Sequence, residues 1–518
     1  MRRTLLTALV CALALSRGAW CASGATDPVH AGHAIAYDAE GETYYVAYAG
    51  VDGDQDAFVT TFDAYGDATG SGEYRVTSDA ALQRRVGIAR DDANARFLIA
   101  YDRDGGQVRL RIMNGDGTFV GSSVAASGAT TGTARERPAV AVSDDGTAVI
   151  IAWEDDRSTY RTDVWGNVLT TAGGPLSGEF RMSAADQAAG SPDVAYMTGA
   201  GRFILVFVEP DVGEIGAALI TQYGSGDGNP YTLHAGTAPA HPAVACDPAS
   251  GEGLVVWEDS GDIVGLRLDA AAAAAGSSFT ICAGAGTRSL PDVCWEATNE
   301  YWLVAWQSDN GSDTDIEGCV VPKTGTAIGA VRALAASTDD EHSPSIHAAR
   351  AERGHAAVSY WNDAADAPCV SILGEPRVLV ESTFLNLNEL SMTVANDVRL
   401  QAPPASDVTI NIACGSPGDL DVSPSQLLFT TANWMDPQQI ALDPVEDSID
   451  EGYGEAIDVV LSVDAASDPA YAALADITID VNLREWTESS SSCGAHGVAC
   501  VALLLAGVAA LRRRRTPA

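Results

Sequence analysis

The sequence predicts an all-β chain, a seven-bladed β-propeller followed by a β-sandwich. Three observations carry that prediction. A unit recurs seven times, starting at His33, Val86, Pro138, Pro192, Pro242, Pro291 and Pro344, at intervals of 49 to 54 residues. Fifteen residues after each of the first six starts stands an aromatic: Tyr48, Tyr101, Trp153, Phe207, Trp257 and Trp306. No stretch of helical period separates the copies. Four short strands per unit, repeated seven times, describe propeller blades that bury their faces on one another.

The copy at 241–269 shows the parts most clearly. The inner strand reads AVACD here and AIAYD, GIARD, AVAVSD, DVAYM, DVCWE and SIHAA in the other copies. The second strand reads LVVWE here, and YYVAY, FLIAY, VIIAW, ILVFV, LVAWQ and AVSYW elsewhere. Both are short apolar runs bounded by Gly, Asp and Asn, the pattern of strands buried on both faces. The third strand opens at Asp56-Ala57, Asp163-Val164, Asp262-Ile263 and Asp315-Ile316. A fourth is visible as EYRVTS, EFRMS, YTLHA and FTICA. The Ala270–Ala275 run falls where a loop is expected. In the seventh copy a two-residue insertion brings Trp361 into the aromatic register. That copy shows three strands, so its outer strand is expected from the N-terminal segment near 27–31 or from 377–380, with the N-terminal route preferred.

The aromatic column reads as packing between blades, with ligand stacking as the alternative. The acids that follow it (Glu154-Asp155-Asp156, Glu258-Asp259, Asp309 and Asp363) leave on one rim. They read as turn residues that cap backbone N–H groups, or else as a rim for a cation or polar ligand. The repeat resembles the P-x-V-A-x-D…L-V-x-W-x-D…D-I-x-G propellers of large bacterial extracellular proteins over 33–373. The sialidase Asp-box, the WD-repeat signature and the Kelch double glycine are absent.

Charge narrows the partners. The chain has 70 acidic and 30 basic residues, a formal net charge of −40. Seven of the basic residues lie at the two ends, where no acid occurs, so the body is more acidic still. Such a surface repels nucleic acid and anionic lipid. It suits solubility, high salt or divalent cations, and Ca²⁺ is a possible ligand.

The ends read as export and anchoring signals. Arg2-Arg3, the apolar run Leu5 to Leu15 and the small residues Ala22 to Ala25 make a secretory signal over 1–25, cleaved near Ala25. At the other end, 487–497 is a Ser-rich linker with Cys493-Gly494, and 498–518 holds an apolar segment followed by Arg512, Arg513, Arg514 and Arg515. The segment is near the lower length limit for a membrane span, and the arginines would stay cytoplasmic. This tail resembles the Myxo-CTERM and Synerg-CTERM sorting signals of bacteria. The resemblance implies cutting near Cys493 by an intramembrane sorting protease and transfer to the cell surface or outer membrane. A permanent membrane anchor is the alternative. Six cysteines remain between the ends: Cys246, Cys282, Cys294, Cys319, Cys369 and Cys414. They read as small buried residues with one or two bridges, since export permits disulfides.

From 377 to 486 the repeat stops. Strands are expected at Thr383–Leu387, Val394–Leu400, Val408–Ala413, Gln426–Phe429, Gln438–Leu442, Ala456–Val463 and Ile477–Val481. Seven short strands in about 100 residues suggest an immunoglobulin-like sandwich. The segment resembles a Calx-beta or cadherin-like module through Leu428-Phe429-Thr430, Asn433-Trp434, Pro437-Gln438, Asp447, Glu451 and Asp468-Pro469-Ala470-Tyr471. The resemblance implies a Ca²⁺ site at Glu389, Asp447, Asp450 and Glu451, carboxylates of the kind hard cations need. The closing sequence departs from it: Asp480-Val481-Asn482-Leu483-Arg484 puts a cation where an acid is expected. Asn433-Trp434 reads as a corner that plugs the core.

Nucleophile elbows, phosphate loops and zinc motifs are absent. Packing is the default role for His33 and His241, and His342 and His347 do not build a metal face. The reading is therefore a non-enzymatic bacterial cell-surface protein, a propeller on a sandwich stalk that binds an extracellular protein or glycan. The alternative is a secreted hydrolase or lyase acting on polysaccharide. An enzyme would require a non-repeating polar cluster in the axial channel, and that decides what to look for.

Overall fold

The computed structural model describes residues 33–484, except the positions 50–55, 71, 79–80, 105, 129–133, 159–160, 185, 227–228, 326, 350–353, 389–391 and 446–454, together with the backbone of Trp20–Cys21. Seven four-stranded antiparallel sheets follow one another, and two further sheets complete the chain. The inner strands are His33–Asp38, Val86–Asp91, Arg135–Val142, Gly190–Met197, Pro239–Cys246, Thr287–Glu296 and Glu341–Ala348. Each packs on the inner strand of the next blade, and the last packs on the first, so the ring closes. The chain is an all-β propeller of seven blades.

Within a blade the inner strand pairs with the second, the second with the third and the third with the outer. The aromatic column lies where the second strand ends. Tyr48, Tyr101, Trp153, Phe207, Trp257 and Trp306 are all buried, each from Tyr101 onward in a cluster shared with the preceding blade. Blade seven departs from the expected register. Ser345 pairs with Ser359, whereas Asp292 of blade six pairs with Ala305. The first turn of blade seven is thus longer by one residue, and Tyr360 takes the position of Trp306. Tyr360 packs in the core shared by blades six and seven. Trp361 then falls on the opposite face and closes the ring against Tyr48 of blade one, with ring centroids 6.1 Å apart.

The outer strand of blade seven is Trp20–Cys21, antiparallel to Ala367–Gly374. It comes from the N-terminal side, but from upstream of 27–31. The other expected source, 377–380, is occupied: Val378–Val380 opens the second domain. The Ala270–Ala275 run forms a turn after the third strand of blade five, as its position suggests. Cys369 is disulfide-bonded, while Cys246, Cys282, Cys294, Cys319 and Cys414 are free.

The second domain has a four-stranded and a five-stranded sheet. Its strands include Phe384–Asn388, Val394–Leu400, Val408–Cys414, Gln426–Phe429, Gln438–Pro444, Glu455–Val463 and Ile477–Arg484. Val378–Val380 and Leu420–Ser423 add two more. Both sheets contribute to one core, which continues into Tyr37, Tyr44, Val370 and Ile372 of blades one and seven. Asp468 caps the short helix Pro469–Ala472, accepting from the Ala470 N–H at 2.8 Å. Trp434 is buried, but at the domain junction, edge-on to Tyr65 and to His355 of the propeller.

This docking decides which propeller face is free. An inner strand runs from the entry face to the opposite face, and the second strand returns. Tyr65, Asn299, Tyr301 and His355 lie in or beside turns on that opposite face. They meet the second domain through Tyr65 Oη to Asp436 Oδ1 at 2.6 Å and Arg377 Nη1 to Asn299 Oδ1 at 2.8 Å. The entry face, where the inner strands begin, points away from it. Among the described residues no helix is long and apolar enough to cross a membrane.

Candidate ligand site in the axial channel

The seven inner strands enclose a cavity of about 540 Å³ that opens on the entry face. Its mouth is built by a local device repeated in five blades. Arg137, Ser191, His241, Leu290 and Ser343 each precede a proline, and each has a positive φ, between 47° and 56°. The pairing register shifts at all five positions, at Glu136/Ala139, Gly190/Asp193, Ala240/Ala243, Ser289/Asp292 and His342/Ser345. These are β-bulges, which bend a strand and re-aim a side chain. A left-handed conformation is costly for a residue with a Cβ and clusters at functional sites. Here it recurs around one opening, and all five residues line the cavity.

The acids after the aromatic column hold this rim together. Glu154 Oε1 accepts from the Ser191 N–H of the next blade at 2.7 Å. Glu258 Oε2 accepts from Leu290 N–H at 3.1 Å, and Gln307 Oε1 from Ser343 N–H at 3.2 Å. The following acids serve their own blade: Asp259 accepts from Thr237 and Ala238 N–H, and Asp156 from Ala134 N–H. Asp155 is fully buried and bonds Arg135 Nε at 2.8 Å and Trp153 Nε1 at 3.1 Å. These carboxylates work as turn caps and inter-blade latches.

Below the rim the repeat is broken by charge. The residue after each repeat start is Ala34, Gly87, Ala139, Asp193, Ala243, Asp292 and Ser345. Two of the seven are carboxylates, on blades four and six. Asp193 Oδ2 accepts from Val244 N–H at 2.7 Å, and Asp292 Oδ2 from Ile346 N–H at 2.9 Å. Burial, and then the neighbouring charge of Asp292, push the Asp193 carboxyl up to about 7. Burial also raises Asp292. Such shifts mark groups whose charged form is poorly solvated.

Cationic side chains occupy the other side of the ring. Arg85 and Arg137, on blades two and three, both line the cavity. Arg137 Nε lies 3.4 Å from Glu154, and its Nη1 lies 3.3 Å from Ser191 Oγ. Burial, and then the charge of Arg137, lower the proton affinity of Arg85. Three histidines complete the polar lining: His33, His241 and His347. His33 and His241 therefore border the cavity instead of serving as packing alone. Burial first, with a smaller contribution from His342, lowers His33 to about 4 against a backbone hydrogen bond with Ser359. Its Nε2 is buried without a hydrogen-bond partner among the described residues.

The channel was not named residue by residue from the sequence. The signal was present in the repeat alignment, where two columns change from small residues to Asp or Arg. The residues expected to hold Ca²⁺, Glu389, Asp447, Asp450 and Glu451, lie outside the described residues, as do Cys493, Gly494 and Arg512 to Arg515. Arg484 ends the last strand, opposite Asn388. Among the described residues no group of three or more His, Cys, Asp or Glu could hold a metal ion.

No family model matches the chain, and no curated protein matches it. Solved structures do. The Dos1 propeller aligns at a TM-score of 0.39 and 10% identity, over 68% of this chain and 95% of that one. A protein of unknown function from Dyadobacter fermentans aligns at a TM-score of 0.43 and 12% identity, over 59% of this chain and 99% of that one. A prolyl endopeptidase structure aligns at a TM-score of 0.36 and 9% identity, over 72% of this chain and 55% of that one.

Proposed function

We propose that the chain is a bacterial cell-surface binding protein whose propeller takes a polar group of an extracellular glycan or protein into its axial channel. The observation that carries this reading is the axial cavity of about 540 Å³, open on the face turned away from the second domain; its non-repeating polar lining also meets the requirement set for an enzyme and supports the second reading below. Pockets of this volume with a few convergent polar groups are the usual form of a small-ligand site. In this reading the N-terminal signal exports the chain and the C-terminal tail anchors it or is processed near Cys493. The Calx-beta-like second domain stands between tail and propeller. Its acidic loops at Glu389, Asp447, Asp450 and Glu451 are the proposed place for Ca²⁺.

The test is a glycan and protein array probed with the purified full chain, with and without Ca²⁺. Binding that is lost when the channel is filled by Ala139→Trp, a residue of the cavity wall, is the expected result. No binding in either condition overturns the proposal.

A second reading, a hydrolase or lyase acting on polysaccharide, has its own support in Asp193 and Asp292. Two carboxylates facing one cavity, with proton affinities raised by burial, are what general acid–base cleavage of a glycosidic bond uses. Release of reducing ends from a polysaccharide by the full chain, abolished in Asp193→Asn and Asp292→Asn, would establish it. Binding without cleavage would leave the first reading alone.

A further inference from the structure

We propose that Arg85 and Arg137 form an anion subsite in the channel mouth that takes the carboxylate of a uronic-acid residue at the end of an extracellular glycan. The proposal rests on the channel being the ligand site, and it assigns the chemistry of that ligand. Arg85 is half-buried and faces the cavity. No hydrogen bond or ion pair joins its guanidinium to another described residue. Asp102, Glu136 and Glu154 are close enough to act on its charge. Two of these are engaged elsewhere: Asp102 accepts from the N–H groups of Arg84 and Arg85, and Glu154 from that of Ser191.

Arg137 is the neighbouring cation, and its two contacts, at 3.3 and 3.4 Å, are long. Charge-assisted hydrogen bonds are normally shorter than this. The charge of Arg137 acts on Arg85, and an anion bound by both would relieve that repulsion. A planar carboxylate is the group that an arginine fork fits best. The placement is selective in a chain this acidic, where the surroundings otherwise repel anions.

The rest of the wall favours a sugar over an acidic peptide. Ser191 and Ser343 present hydroxyls at the rim, and Asp193 and Asp292 stand below them. Burial raises the proton affinity of both carboxyls, that of Asp193 up to about 7. A carboxyl that holds its proton adds no negative charge against the arginines and offers both a donor and an acceptor to ring hydroxyls. A uronic acid carries one carboxylate and several hydroxyls on one compact ring, which matches this division.

The experiment titrates the full chain with trigalacturonate, with the corresponding neutral trigalactoside and with triglutamate. Wild type and Arg85→Gln are compared by calorimetry, with melting temperatures as a folding control. Trigalacturonate should bind most tightly to the wild type. Its affinity should fall at least tenfold in Arg85→Gln at unchanged melting temperature, and Arg137→Gln should act in the same direction. Equal binding of the neutral sugar, or a uronate affinity indifferent to Arg85, overturns the subsite while leaving the channel as a binding site. Arginine-dependent binding of triglutamate without binding of the uronate overturns the sugar assignment. If none of the three binds and Ala139→Trp changes no array signal, the channel reading falls with it.

Discussion

Asp193 and His33 line the same cavity, and burial moves their proton affinities in opposite senses. Asp193 rises from 3.8 to about 7, so between those values the folded chain holds a proton that the unfolded chain releases. The stability tied to that proton is fully present below pH 3.8 and is lost as pH rises towards 7. His33 falls from 6.5 to about 4. Across that window the unfolded chain binds the extra proton, so stability rises with pH. The two slopes oppose each other in the wild type, and Asp193→Asn removes only the falling one. The melting temperature of the variant relative to the wild type should therefore climb from pH 4 to pH 7 and level off above. The slope is bounded by about 1.4 kcal/mol per pH unit for one proton. Thermal melts at a series of pH values check it, and a constant offset would contradict the placement of Asp193. The change to Asp in one repeat column was visible in the sequence, but not that Asp193 and His33 face one cavity. The runs Ser191-Pro192-Asp193-Val194 and Leu290-Pro291-Asp292-Val293 read as ordinary strand, and a simple alternation fixes which way a strand residue points. The bulge before each proline adds a residue and resets that alternation. A single sequence does not announce a bulge made without glycine.

At the scale of the strand and turn, two adjacent acids of one motif do different work. Asp155 and Arg135 form an ion pair whose side chains are 0% and 1% exposed. Arg157 and the Trp153 indole bond the same carboxylate. Asp155→Ala leaves the Arg135 charge buried with its main partner gone, at a cost of about 3–5 kcal/mol. Glu154, one residue earlier, is partly exposed and mainly accepts one N–H from the next blade. Its removal should cost only about 1 kcal/mol. Urea denaturation of the two variants distinguishes the roles, and equal losses would mean that the acids are interchangeable turn residues. The aromatic column was legible because a buried ring at a fixed offset is a constraint on composition. Its seventh member was not. Tyr360 and Trp361 are adjacent and both aromatic, and only the length of the preceding turn decides between them. The strands of the second domain were legible for a similar reason: their apolar alternation is strong, as in Ile457, Val459 and Leu461, all buried in one face.

The whole molecule depends on two closures that lie far apart in sequence. One is the docking of the second domain, where Trp434 sits between Tyr65 and His355. Because a single core passes from the second domain into blades one and seven, the two should unfold together. Trp434→Ala should cost about 3–5 kcal/mol and split one calorimetric transition into two; a single transition at reduced temperature would place the tryptophan inside one domain only. The other closure is blade seven, which the strand Trp20–Cys21 completes by pairing with Val370 and Cys369. That strand precedes the expected cleavage point at Ala25. If export removed it, the third strand of blade seven would lose its pairing partner, and unpaired edges invite association with other chains. If the chain is exported, this pairing predicts that the mature protein keeps Trp20. Ser16 and Gly18 provide small residues for cleavage before Ala19. Mass spectrometry of the secreted N-terminus reads this directly. A chain begun at Thr26 should melt at a lower temperature than one begun at Ala19 and should self-associate more readily. Equal melting of the two, with a natural start at Thr26, would mean that the ring closes on three strands in blade seven and that the strand at Trp20–Cys21 takes no part in the mature propeller.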